Sequence, residues 1–116
     1  MRTGLLLALW LGGCTSAAAD HERLGDRAYR EENFAAAMAE YRAAAKGDGS
    51  ARLYAKLGSA ALHERDLGAA IEAFAALKEA DPSRAAEAAV GLERAAYLAA
   101  HGGSAQVAQL AAAVRT

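Results

Sequence analysis

The sequence predicts an all-α protein, built as a short solenoid of about three helical hairpins that follows a cleaved signal peptide. Alanine, the strongest helix former, makes up about 30% of the 116 residues, whereas proline occurs once and strand-forming isoleucine is almost absent. Apolar residues recur at the i, i+3, i+4 and i+7 spacing of amphipathic helices. The same pattern returns after 33 positions, which indicates a repeated structural unit.

The N-terminal segment has the anatomy of an export signal. Arg2 precedes an apolar run over residues 4–11, and the small residues Gly12 and Gly13 follow that run. The run is less than half of the roughly 20 residues that a membrane-spanning helix requires, so a permanent transmembrane helix is not expected. We assign residues 1–13 to the signal peptide.

Cys14 is the chain's single cysteine, and it stands directly behind this leader. The stretch Leu11-Gly12-Gly13-Cys14 resembles the lipobox of bacterial lipoproteins, in which the cysteine is acylated and becomes the mature N-terminus. The resemblance implies a covalent acyl lipid on Cys14, a lipidated N-terminus and spacer over residues 14–19, and no other cofactor. Two alternatives stay open: a soluble exported protein whose Cys14 only lies near a cleavage site, and a buried thiol in an uncleaved chain.

The lipoprotein resemblance also implies a location. The residue after the cysteine is Thr15 and not an aspartate. This fits sorting to the outer membrane in an organism with two membranes. We therefore expect a membrane-anchored lipoprotein of the cell envelope, facing the periplasm in that case.

Residues 20–116 contain the repeats. The two complete units cover residues 20–49 and 50–82, and residues 83–116 are expected to form a degenerate third hairpin or cap. A glycine in an exposed helix costs about 1 kcal/mol relative to alanine, so glycines that recur in phase predict close approach of a neighbouring helix. The residues expected to pack within and between repeats are Leu24, Gly25, Ala28, Phe34, Ala37, Tyr41, Leu57, Gly58, Ala61, Leu67, Ala70, Phe74 and Pro82.

Polar and helix-breaking residues mark the element boundaries of the two complete units. Asn33 and Asp66 precede the second helix of each unit and are predicted N-caps. Residues 47–50 and 81–83 separate the units, and they supply glycine, proline and serine for helix ends and starts.

The third unit begins in phase but then departs from the pattern. Its first helix is expected over residues 84–100, with a stop at residues 101–103. A last apolar stripe follows at Val107, Leu110, Ala111 and Val114.

The repeats resemble the tetratricopeptide repeat, a helix-turn-helix unit whose period is typically 34. The second unit carries the family signature at Tyr54, Leu57-Gly58, Ala61, Leu67, Ala70, Phe74, Leu77 and Pro82. The period is one residue short, and Leu77 stands where the family has its final alanine. Ankyrin repeats have a similar period, but their T-P-L-H string is absent from this chain.

The resemblance implies a concave groove lined by the first helix of each unit, in which a protein partner binds. Carried onto this chain, the groove residues are Glu22, Asp26, Tyr29, Arg30, Arg52, Ala55, Lys56, Ser59, Leu62 and His63. Tyr29, Leu62 and His63 are expected to be available for contact with the partner. The clamp by which some family members hold a C-terminal carboxylate is not expected, because Glu22 and Asp26 occupy sites where that clamp needs a base and an amide.

No constellation for catalysis or metal binding is visible in the sequence. The stretch from His63 to Leu67 begins like the helix of a zinc protease, but leucine stands where the second histidine is required. The net charge of −1 and the scattered basic residues argue against nucleic acid as a partner. We expect neither an enzyme nor a metal site.

The expected function is that of a lipid-anchored adaptor or assembly factor that presents its groove to a protein partner in the cell envelope. By family analogy, pilus or secretion assembly and outer-membrane protein assembly are the candidate pathways. The alternative is a structural envelope protein that self-associates through an unfinished end of its solenoid. The sequence leaves the oligomeric state open.

Overall fold

The computed structural model describes residues 17–102, and these residues form five α-helices and one 3₁₀ turn. Consecutive helices pack as antiparallel hairpins, and the third helix also contacts the fifth. The prediction of an all-α, repeat-like packing is therefore confirmed. The helices are α1 over residues 17–30, α2 over Phe34–Gly47, α3 over Ala51–Glu64, α4 over Leu67–Ala80 and α5 over Ala85–Gly102, and the 3₁₀ turn is Pro82–Arg84.

The N-caps predicted for the second helix of each unit are confirmed. The side chain of Asn33 accepts a hydrogen bond from the Ala36 amide at 3.3 Å. The side chain of Asp66 accepts one from the Ala69 amide at 3.1 Å. Each bond satisfies an amide of the first helical turn that has no partner within the helix.

The turns inside the two hairpins share one backbone conformation. Glu32 and Arg65 both have a positive φ, 60° and 61°, in the left-handed region that favours glycine. The next amide then reaches back across the helix end, from Asn33 to the Ala28 carbonyl at 2.9 Å and from Asp66 to the Ala61 carbonyl at 3.0 Å. These residues lie 33 positions apart, so the repeat extends to the backbone of the turn.

The link between α4 and α5 differs in detail from its prediction. Ser83 does not act as a cap: its amide and hydroxyl both donate to Asp81, at 3.1 Å and 2.6 Å. Asp81 is the capping residue, and Pro82 begins the 3₁₀ turn. The following helix runs over Ala85–Gly102, where residues 84–100 were expected.

The core of the repeats depends on aromatic rings that lie against bare glycine backbone. A Cβ at Gly58 in α3 would lie 2.7 Å from Cζ of Phe74 in α4, and a Cβ at Gly91 in α5 would lie 2.5 Å from the same atom. Similarly, a Cβ at Gly25 in α1 would lie 2.6 Å from the Tyr41 ring. These distances are too short for any real Cβ, so each glycine is required by the ring that packs on it.

Small residues fill most of the remaining helix interfaces. Ala37, Ala61 and Ala70 are fully buried, as expected for helices that cross at short distance. The largest side chains that are fully buried are Leu53, Ile71, Leu77 and Leu92.

Four residues predicted to pack within and between repeats are more exposed than expected, and two of them, Leu24 and Pro82, are exposed. Leu24 is 46% exposed, whereas its counterpart Leu57 is 7% exposed. The reason is position in the stack: α3 contacts both α2 and α4, but no described helix precedes α1. Phe34 and Leu67 are half-buried, and Pro82 is exposed because it lies in the 3₁₀ turn rather than in an interface.

Several predicted segments lie at or beyond the edges of the described residues. The spacer expected over residues 14–19 is helical from residue 17 onward. The predicted signal peptide, Cys14 and the last apolar stripe at residues 104–116 lie outside the described residues. Between residues 17 and 102, no helix has both the length and the apolar character needed to cross a membrane.

Gly58→Ala should lower the free energy of unfolding by about 1–2 kcal/mol, although alanine favours helix. The added methyl collides with the Phe74 ring, and this ring is held from the other side by Gly91. The matched control is Gly68→Ala in α4, where the nearest atom to a new Cβ is Asp66 Oδ1 at 3.9 Å. That variant should be neutral or more stable by up to about 1 kcal/mol. Urea denaturation followed by circular dichroism compares the two, and equal stability of both variants would contradict the packing described.

Candidate functional site

The ten residues predicted for the groove line three neighbouring pockets, two to which α1 and α3 contribute and one between α3 and α5. We call the first the tyrosine pocket; it measures about 390 Å³ and is lined by Asp26, Tyr29, Arg30, Tyr41, Ala55, Lys56 and Ser59. We call the second the arginine pocket; it measures about 300 Å³ and is lined by Ser59, Leu62, His63, Arg65, Arg94 and Leu98. Glu22 and Arg52 line a third pocket of about 320 Å³ at the opposite end of the face.

Four of the predicted groove residues bind one another across the α1–α3 interface. Arg52 donates from Nε and Nη2 to the two carboxylate oxygens of Glu22, at 2.8 Å and 2.9 Å. Lys56 Nζ donates to Glu22 at 2.7 Å and to Asp26 at 2.9 Å. The Tyr41 hydroxyl, from α2, also donates to Asp26 at 2.7 Å. This ion network ties three helices together.

The ion network shifts the pKa values of Glu22, Lys56 and Tyr41. Hydrogen bonds from Arg52 and then Lys56 lower the pKa of Glu22 from 4.5 to about 2. Burial alone would lower the pKa of Lys56, but its hydrogen bonds to Glu22 and Asp26 outweigh this and raise it. Burial, and next the hydrogen bond to Asp26, raise the pKa of Tyr41. At neutral pH Glu22 is therefore ionised, Lys56 is protonated and the Tyr41 hydroxyl is neutral. The positive and negative charges of the network balance one another within the protein.

Tyr29 and His63 belong to an aromatic cluster that joins the two hairpins. Their rings meet edge to face at 5.6 Å, and Phe34 stacks on His63 at 4.4 Å. Tyr29 also contacts Phe34 edge to face at 5.2 Å, and its hydroxyl lies 2.8 Å from Ser59 Oγ. Tyr29 was expected to be available for contact with a partner; its ring contacts Phe34 and His63, and its hydroxyl pairs with Ser59 Oγ. Its replacement by alanine would therefore disturb the fold as well as the face.

Four residues that line the tyrosine and arginine pockets were not among the predicted groove residues. Tyr41 was placed in the core, and its hydroxyl reaches the face because the ring lies across Gly25. Arg94 and Leu98 come from α5, the helix that departs from the repeat pattern, so no repeat position pointed to them. Arg65 had one usable signal, its offset of 33 residues from Glu32 at the equivalent turn.

The described face has mixed polarity, with aromatic and apolar side chains beside charged ones. Within residues 17–102, no group of three or more His, Cys, Asp or Glu side chains is arranged to hold a metal ion. The His63 ring, which the zinc-protease comparison singled out, stacks on Phe34. No family model, no curated protein and no solved structure matches the chain.

Glu22→Gln should destabilise the protein by about 1–2 kcal/mol at pH 7, because Arg52 and Lys56 lose their shared carboxylate. The folded pKa of Glu22 is lowered, so its contribution is present above about pH 4.5 and is lost as the pH falls toward 2. The difference in Tm between wild type and variant should therefore shrink between pH 5 and pH 2. Thermal melts across this range measure it.

The control for this pH series is Glu79→Gln in α4. Glu79 is exposed and forms no ion pair with any described residue. Its Tm should stay close to that of wild type throughout. A Glu22→Gln offset that is constant from pH 7 to pH 2 would show that the Glu22 carboxylate does not stabilise the fold through its charge.

Proposed function

We propose that this chain is a lipid-anchored adaptor or assembly factor of the cell envelope, of the tetratricopeptide-repeat type, which holds a protein partner against the face formed by α1, α3 and α5. The observation that carries the proposal is the pair of adjoining pockets on that face, the tyrosine pocket and the arginine pocket, which share Ser59. Pockets that combine aromatic walls with guanidinium groups are typical of protein interaction sites.

The repeat itself supports the assignment to tetratricopeptide type. The equivalent turns at Glu32 and Arg65 lie 33 residues apart, as do the aromatic-on-glycine contacts of Tyr41 with Gly25 and Phe74 with Gly58. The hairpin packing of α1 to α4 agrees with a unit of two helices. A rigid stack of such units provides a face whose residues are held in place by the core, which reduces the entropy lost on binding.

The lipid anchor is proposed from the sequence around Cys14. Helix α1 is present from residue 17, three positions after that cysteine. A helix rises about 1.5 Å per residue, so the whole face lies within a few nanometres of an acyl group on Cys14. The proposed partner is therefore a protein at the membrane surface, and assembly of pili, secretion systems or outer-membrane proteins is the kind of process that would use it.

The anchor is tested on the protein extracted from membranes of the cells that make it. Intact-mass analysis should find a chain that begins at Cys14 and carries acyl groups, and Cys14→Ser should lack them. Fatty-acid labelling with an alkyne probe gives a second readout. A wild-type chain with an unmodified Cys14 thiol would contradict the proposed lipid anchor. It would leave the proposed partner-binding face unaffected.

The binding face is tested by photo-crosslinking in intact cells. A photoreactive amino acid at Ala55, which lines the tyrosine pocket, should capture a specific envelope protein. The matched control position is Glu72, which is exposed on α4 and lines none of the three pockets. Equal capture from both positions, or none from Ala55, would contradict the proposed face.

Self-association is a second candidate function, and an exposed part of α5 favours it. Val90 and Tyr97 are 66% and 60% exposed, and they lie two helical turns apart on one side of the helix. Large apolar side chains that share an exposed stripe are typical of interfaces between proteins. In the crosslinking experiment, a probe at Val90 that captures a second copy of this chain would favour this candidate.

A further inference from the structure

The two ends of the binding face differ in how their charges are satisfied. At one end, Arg52 and Lys56 are bound to Glu22 and Asp26. At the other end, the guanidinium groups of Arg30, Arg65 and Arg94 form no ion pair and no hydrogen bond with any described residue. Two of these guanidinium groups, those of Arg65 and Arg94, line the arginine pocket, and Arg30 lines the adjoining tyrosine pocket.

The arginine pocket has the composition of a carboxylate site. Two guanidinium groups and the His63 imidazole line it together with the Ser59 hydroxyl, and Leu62 and Leu98 supply the apolar part. Among residues 17–102, no acidic side chain lines the pocket, although Glu64 is the sequence neighbour of Arg65. Guanidinium groups bind carboxylates through two parallel hydrogen bonds, which is the strongest form of this contact.

Parts of the pocket are held in place before any ligand arrives. The His63 ring is fixed by stacking on Phe34 at 4.4 Å. The backbone of Arg65 is fixed in the left-handed conformation, and its amide donates to the Leu62 carbonyl at 3.1 Å. Groups that are already ordered lose less entropy on binding, so these contacts favour affinity.

The adjoining tyrosine pocket determines what else the ligand contains. Ser59 lines both pockets, so a ligand in one is next to the other. The rings of Tyr29 and Tyr41 and the methyl of Ala55 line the tyrosine pocket, and Arg30 lines it as well. An apolar side chain fits there, within reach of further cationic groups.

We propose that the arginine pocket binds the side-chain carboxylates of an acidic segment of the partner, while an apolar side chain of the same segment enters the tyrosine pocket. Two guanidinium groups in the arginine pocket and that of Arg30 in the tyrosine pocket exceed the single charge of a chain terminus, so the two pockets together match a segment with more than one Asp or Glu. This inference rests on the proposed function, because it names the chemistry of the partner that the face receives.

The two left-handed turns provide a matched pair of variants for the test. Arg65→Gly removes the guanidinium at a position with a φ of 61°, where glycine is the least strained residue, so the fold should be retained or stabilised. Glu32→Gly makes the same backbone change at a φ of 60° in the other hairpin but removes an acidic side chain. Only the first variant should weaken binding. Arg94→Gln is the second variant within the pocket.

The probe is a fluorescein-labelled decapeptide in which Glu and Leu alternate, and its counterpart has Gln in place of each Glu. Fluorescence anisotropy with the full chain in detergent should show binding of the Glu peptide and little binding of the Gln peptide. Arg65→Gly should weaken binding of the Glu peptide about tenfold, and Glu32→Gly should not weaken it. Added salt should also weaken it.

Several results would overturn the inference. These are no binding of the Glu peptide, equal binding of both peptides, or unchanged affinity in Arg65→Gly and Arg94→Gln. Displacement of the peptide by micelles that contain phosphatidylglycerol, but not by zwitterionic micelles, would assign the pocket to a lipid head group instead. If the probe at position 55 captures a partner in cells, and captures equally much of it when the chain also carries Arg65→Gly, the inference fails while the proposed function stands. If the peptide binds through Arg65 but Ala55 captures nothing, the pocket stands and the proposed function fails.

Discussion

The rest of the structure depends on one packing constraint: the Phe74 ring occupies the space between two glycines on different helices. Hypothetical Cβ atoms at Gly58 and Gly91 would each lie within 2.7 Å of this ring. The ring therefore sets how closely α4 approaches α3 and α5, and those two helices carry the arginine pocket. Tyr41 has the same role for Gly25, and it adds a hydroxyl that binds Asp26 at 2.7 Å. In this way a core contact also positions the polar network of the face.

The face combines a neutralised end with a cationic end, and this division follows from which helices meet. Where α1 meets α3, Glu22 accepts from both Arg52 and Lys56, so the charges are used to hold the helices together. Where α3 meets α5, Arg65 and Arg94 line a pocket to which no acidic side chain of the described residues contributes. A chain whose net charge is only −1 can thus present a local positive site. Exposed ion pairs contribute little to stability, but the shared and less exposed Glu22 carboxylate is better placed to do so.

The sequence predicted features that depend on local chemistry or on the period, and it missed features that depend on neighbours. The caps at Asn33 and Asp66 follow from short side-chain oxygens at helix starts, and the glycine contacts follow from recurrence in phase. The exposure of Leu24 could not be predicted, since burial at that repeat position requires helices on both sides. The ion network could not be predicted either, because the offset between α1 and α3 is not contained in the periodicity of each helix. Arg94 was missed because α5 leaves the repeat pattern.

A double-mutant cycle between Gly58 and Phe74 tests the packing constraint most directly. Its four chains are the wild type, Gly58→Ala, Phe74→Leu and the double variant, each measured by urea denaturation. If the ring excludes a methyl group at position 58, Gly58→Ala should lower the free energy of unfolding of the wild type. The same change should leave that free energy nearly unaltered in the Phe74→Leu background. The predicted coupling free energy is about 1 kcal/mol or more. Additive costs, with the same penalty for Gly58→Ala in both backgrounds, would contradict the account.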